Sequence, residues 1–104
     1  MTQSKEKHAH CPVEITLGII GKKWAVLIIR DLLGGKKRFG ELLSSLSGIS
    51  PRTLSARLNE LKESGVITKK IFPEIPLHVE YQLTKRGRSL HSILEQMSKW
   101  GSKQ

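Results

Sequence analysis

Ser50, Arg52, Thr53 and Ala56 fall within seven residues of one another, on what the leucine spacing makes the outer face of a helix. Their types suit the edges of base pairs. A guanidinium donates two hydrogen bonds to the O6 and N7 of a guanine, and a threonine or alanine methyl can rest on the methyl of a thymine. A plain phosphate contact is the other reading of Arg52, and the sequence leaves both open. Arg57, on the flank, suits a phosphate or a brace between its helix and the rest of the domain. Arg38, with Lys36 and Lys37, precedes the helix before; Lys69 and Lys70 lie in a strand after it. Such cations either clamp a backbone or form a solvated face. A different chemistry belongs to Cys11, the single cysteine, which stands at a helix start beside His8 and His10. Exposed N–H groups and a protonated imidazole favour the thiolate, the form that reacts with an oxidant or electrophile. The alternative is a small apolar cap at an interface. The trio His8, His10 and Cys11 offers three ligands where a closed zinc site needs four, so no metal is expected.

These residues need elements to hold them. Pro12 and Glu14 suit a first helical turn, Val13, Leu17 and Ile20 follow at helical spacing, and Gly21 ends the run. A second helix starts near Lys22 or Lys23, carries Trp24, Leu27, Ile28 and Leu32, and stops at Gly34-Gly35. A third places Phe39, Leu42, Leu43 and Leu46 on one face and ends near Ser47-Gly48. Ser50 is a good N-cap with Pro51 at the first helical position, and Leu54, Leu58 and Leu61 give the fourth helix its apolar stripe. Residues 67–72 and 78–83 alternate as strands around Pro73-Glu74-Ile75-Pro76, whose prolines cannot donate to a ladder. Thr84 is expected to cap one last helix with a stripe of Leu90, Ile93, Leu94, Met97 and Trp100. Helix, turn, helix and hairpin make a winged helix-turn-helix, mainly α with about five helices and a two- to three-stranded wing. Such a unit lays its second helix in the DNA major groove.

Charge agrees. Among 104 residues, 18 lysines and arginines stand against 9 acids, a net charge of +9. The excess sits on residues 36–70 and 84–104, while 71–83 is net acidic. A polyanionic partner follows, with double-stranded DNA first. The longest apolar runs fall far short of a membrane span and the first ten residues have no apolar signal core, so a cytoplasmic protein without a membrane partner is expected. No nucleophile and base share a suggestive spacing, and no glycine-rich phosphate loop appears; no enzyme and no cofactor are expected. The competing class is a protein-docking or RNA-binding module, with Phe72 and Tyr81 the only aromatics a sheet could offer to bases. Residues 1–10 read as a flexible arm and 11–104 as one domain.

The motifs Gly21-Lys22-Lys23-Trp24, Arg38-Phe39-Gly40-Glu41-Leu42, Gly48-Ile49-Ser50-Pro51, Leu54-Ser55-Ala56-Arg57-Leu58, Gly65-Val66-Ile67 and Val79-Glu80-Tyr81-Gln82-Leu83-Thr84 occur in this order. From Cys11 to Trp100 the chain resembles the HxlR-type winged helix-turn-helix regulators, a group related to the MarR fold. The resemblance implies a homodimeric transcription factor on an inverted-repeat operator, and in some relatives a cysteine near the N-terminus senses oxidants or electrophiles. It departs at His78, where such proteins often carry an arginine. His78 is expected to touch DNA at the wing, with affinity rising as pH falls.

The last stripe bears on assembly. Leu90 and Leu94 serve the domain's own core, whereas Met97 and Trp100 run past it. With Ile93, and with Val13 and Leu17 of the first helix, they would leave apolar patches on a monomer, which usually mark an interface. A homodimer closed by the first and last helices is expected.

Overall fold

The computed structural model describes residues 11–104; His8, His10 and the expected arm lie outside them. Helix α1 spans Pro12–Ile20, α2 Lys23–Leu32, α3 Phe39–Ser45, α4 Pro51–Glu63, α5 Lys85–Arg88 and α6 His91–Ser102. Strands β1 (Lys37–Arg38), β2 (Ile67–Phe72) and β3 (His78–Leu83) form one antiparallel sheet in the order β1-β3-β2. Among the described residues this gives five helices of seven or more residues, one four-residue turn of helix and a three-stranded wing. The fold is a winged helix-turn-helix, with α3 and α4 as the helix-turn-helix.

The helix-turn-helix follows from its caps and its leucines. The backbone N–H of Arg38 donates to Glu41 Oε1 at 2.8 Å, which opens α3. The chain turns through Gly48 at φ +92°, a left-handed conformation that a glycine adopts without strain. Ser50 then caps α4, its Oγ accepting from the N–H of Thr53 at 3.1 Å. Leu54, Leu58 and Leu61 are buried, as their spacing requires. They meet Ile28, Ile29, Leu42, Val66 and Ile67 in one core. Burying each of these leucines contributes about 1.5–3 kcal/mol relative to leaving it in water.

Two expectations change. The buried face of α2 is Ala25, Ile28, Ile29 and Leu32, while Trp24 and Leu27 are only half-buried. Helix α2 packs against α1, α3, α4 and β3. A helix apolar on most sides has no single stripe to read, and its neighbours choose the face. The last helix is also broken. Thr84 caps only α5, accepting from the N–H of Gly87 at 3.0 Å, and its hydroxyl donates to the carbonyl of Gly65 at 2.7 Å. Gly87 lies against the Val66 carbonyl and the Leu83 side chain, where a Cβ would not fit. That contact holds the first turn on the core. The chain then tightens, with Leu90 N–H donating to Gly87 O at 3.1 Å, and α6 begins after the buried Leu90.

The wing is half core and half projection. Ile67 pairs in register with Leu83, Lys69 with Tyr81 and Ile71 with Val79. Ile67, Tyr81 and Leu83 are buried, but Ile71 is exposed, because the hairpin runs beyond the helices that cover its base. Burial pushes the Tyr81 hydroxyl up from its ordinary range.

Candidate nucleic-acid interface

The face of α4 opposite its leucines is open to solvent over Arg52, Ser55, Ala56 and Asn59, with Ser50 exposed at the cap and Thr53 half-buried. Ser50 and Thr53 are joined twice, since the Ser50 hydroxyl also donates to Thr53 Oγ1 at 3.0 Å. This fixes the cap and presents the N-terminal turn of α4 outward. Helix N-termini offer unpaired N–H groups and a positive dipole end, which favours an approaching phosphate or electronegative base edge. Arg52, in that first turn, has its side chain free to extend.

A groove of about 270 Å³ separates α4 from the sheet, lined by Ser55, Asn59, Lys62 and Lys69 over Leu58 and Tyr81. It brings a wing lysine beside the recognition helix. Ser55, Asn59 and Lys62 are not among the expected site residues. Their signal was present, since they recur at i, i+4 and i+7, the same period that identifies the leucines. Lys70 lies on the opposite face of the wing, its Nζ 5.1 Å from the centre of the Phe72 ring. Arg38 is exposed at the start of α3, on the rim of a larger cleft of about 950 Å³ between α3 and the wing.

Two of the expected residues have charged partners within the domain. Arg57 donates from Nη1 to Glu60 Oε1 at 2.5 Å, and Lys22 Nζ reaches the same carboxylate at 3.4 Å. Arg57 thus holds the Glu60 carboxylate on α4, and Glu60 reaches Lys22 at the start of α2. The Arg57 hydrogen bond, with the charges of Arg57 and Lys22, holds the Glu60 carboxyl below its ordinary range against a smaller desolvation effect. His78, expected on the DNA, is turned into the wing. Its ring stacks on Phe72, and its two nitrogens each lie 3.4 Å from a carboxylate oxygen, of Glu74 and of Glu80.

The remaining expected residues lie at the two ends of the chain. Cys11 is half-buried at the N-cap of α1; its carbonyl accepts from Ile15 and its thiol makes no capping bond. Val13 and Leu17 on α1, and Ile93, Met97 and Trp100 on α6, are all exposed, Trp100 at 68%. Among the described residues no cluster of histidine, cysteine and carboxylate side chains could hold a metal ion, and no helix is long and apolar enough to cross a membrane.

Comparison with known proteins places this geometry. The model of the HxlR-like helix-turn-helix family matches residues 19–104. The chain is 42% identical over 92 residues to sll1512, an uncharacterised HTH-type transcriptional regulator of Synechocystis sp., covering 88% of this chain and 68% of that protein. Among solved structures, the redox regulator HypR in its oxidised form is similar at 39% identity with a TM-score of 0.84, over 90% of this chain and 97% of that one. The reduced form of the transcriptional regulator YodB from B. subtilis is similar at 35% identity with a TM-score of 0.79, over 89% of this chain and 92% of that one.

Proposed function

The chain belongs to the HxlR-like helix-turn-helix family, a family of transcriptional regulators rather than enzymes, and on that premise we propose that it binds double-stranded operator DNA sequence-specifically as a homodimer. The observation that carries the reading is the face of α4: three buried leucines behind, and Ser50, Arg52, Thr53 and Ala56 presented in front from a capped N-terminus. Residues in that half of a recognition helix reach base edges. Arg52 reads a base, and Arg38, Lys69 and Lys70 neutralise phosphates. The apolar faces of α1 and α6 supply the dimer contact, and a two-fold axis there sets two recognition helices about 34 Å apart, or a multiple of it, on an inverted repeat. The protein acts in the cytoplasm.

The effector reading extends this. Cys11 is proposed as a thiol that reacts with an oxidant or electrophile and so alters DNA binding. Its place at the start of α1, next to the proposed dimer contact, supports that role, as does the likeness to the redox regulator HypR. One cysteine limits the product to an intersubunit disulfide, a mixed disulfide or an adduct. Non-reducing electrophoresis separates the first from the others, and Cys11→Ser should abolish the response to oxidant while leaving reduced-state binding intact.

Competition tests the main reading. Labelled duplex should be displaced by duplex far better than by RNA of the same length. With about 6–10 phosphates neutralised per dimer, log K should fall against log salt with a slope of roughly −5 to −9. Preference for RNA, or indifference to both, would replace operator binding with an RNA-binding or protein-docking role.

A further inference from the structure

Asp31 stands where local rules disfavour it. It lies in the last turn of α2, at the negative end of the helix dipole, where a cation is the favoured charge. Its carboxylate is nevertheless largely enclosed, with 12% of the side chain exposed, and both oxygens are used. Oδ1 accepts from Nη2 and Nε of Arg30 at 3.1 and 3.3 Å. Oδ2 accepts from the hydroxyl of Ser45 at 2.6 Å, the short separation of a charge-assisted O–H···O⁻ bond. An acid at the wrong end of its own helix is accounted for by what it holds on another.

Ser45 is the last residue of α3, just ahead of the turn through Gly48 that leads to the Ser50 cap. Helix α3 has little else to orient it. Of its seven residues only Leu42 is buried, with Phe39 and Leu43 half-buried beside it. Apolar burial is non-directional, so this short grip fixes where α3 lies better than how it is turned. A hydrogen bond is directional, and this one acts at the end of the helix, onto the same α2 that packs against α4. Arg38 stands exposed at the opposite end of α3, and Arg52 lies in the first turn of α4. A base contact yields sequence preference only while phosphate contacts hold the protein in register. Resting on the proposal that Arg38 meets a phosphate and Arg52 a base, we infer that Asp31 is a positioning residue for base reading. Through Ser45 it fixes α3 on α2, and so the placement of Arg38 relative to Arg52.

Full-length protein is titrated with two duplexes, one selected by the wild type from a randomised library and one scrambled from it. Ser45→Ala should lower the ratio of the two affinities about three- to tenfold, as suits one charge-assisted bond partly open to water. Affinity for the scrambled duplex and the salt slope should stay unchanged, since no phosphate contact is removed. Asp31→Ala should lower the ratio as much, and the double variant no further. Ser45→Thr keeps the hydroxyl and should restore the wild-type ratio. A bond that served stability alone would lower the unfolding free energy in denaturant and leave the ratio where it was, which overturns the inference. A loss in Ser45→Ala that Asp31→Ala does not share would make Ser45 itself a DNA contact, and overturns it too. A wild type that selects no sequence defeats the operator reading and this inference with it, whereas a selective wild type whose ratio survives Ser45→Ala defeats the inference alone.

Discussion

Helices α4 and α6 are built by the same rule and end in opposite circumstances. Each repeats apolar side chains every three or four residues. On α4 the stripe is spent: Leu54 is fully buried, with Leu58 and Leu61 at 2% exposure. On α6 no residue is buried, and Ile93, Met97 and Trp100 face solvent together with the exposed side of α1. The difference lies in what each helix has to pack against. Helix α4 is enclosed by α2 and β2, so its polar side is left to meet a partner. Helix α6 touches the core only through the half-buried Leu94, so the rest of its apolar side is left. One helix thus leaves a polar, basic face in solvent and the other an apolar one.

Breaking the contrast at its buried end should have the largest effect. Leu58→Ala removes a core side chain and should lower the unfolding free energy by about 2–5 kcal/mol, measured by denaturant titration. At the exposed end, Met97→Glu with Trp100→Glu should leave the secondary structure unchanged and weaken dimerisation by at least ~100-fold, or about 2.7 kcal/mol. Sedimentation at micromolar concentration reads it, and a wild type that sediments as a monomer would remove the assembly from the account. On the polar side of α4, Arg52→Ala should cost about 1–3 kcal/mol of operator affinity and relax one base pair per half-site. An equal loss on all sequences would assign Arg52 to phosphate. Ser50→Ala should cost about 1 kcal/mol of stability through the lost cap.

Glu60→Gln should have the smallest effect and a defined pH dependence. The folded carboxyl is held below its ordinary value, so its contribution is present above the ordinary carboxylate range and is lost as pH falls through the lowered value. Thermal melts of wild type and variant should therefore differ slightly at pH 7 and converge as pH falls through that lowered value. Solvent screening keeps the difference small.

Local rules read most of this fold from the chain. The cap at Ser50, the leucines of α4 and the prolines of the turn each encode their element within a few residues. What stayed hidden depends on partners distant in sequence. The two residues of β1 form a strand only because β3 lies beside them, and no periodicity exists over two positions. The break before α6 is set by Gly87 meeting Val66, across the whole wing. The Arg57–Glu60 pair was legible as i, i+3, but Lys22, 38 residues from Glu60, was not. His78 shows the same limit most clearly. A substitution for arginine suggested a weaker DNA contact, whereas Glu74, Glu80 and Phe72 turn the ring inward.

Selection from a library of randomised duplexes tests the central claim most directly, because it assumes no operator. Wild-type protein should enrich an inverted repeat whose half-sites are centred about one helical turn apart, or a multiple of it. Arg52→Ala, carried through the same selection, should lose the preference at one base pair in each half-site and keep the rest. Enrichment of no sequence by the wild type, at salt where it still binds duplex, would contradict a base-reading role for the exposed face of α4.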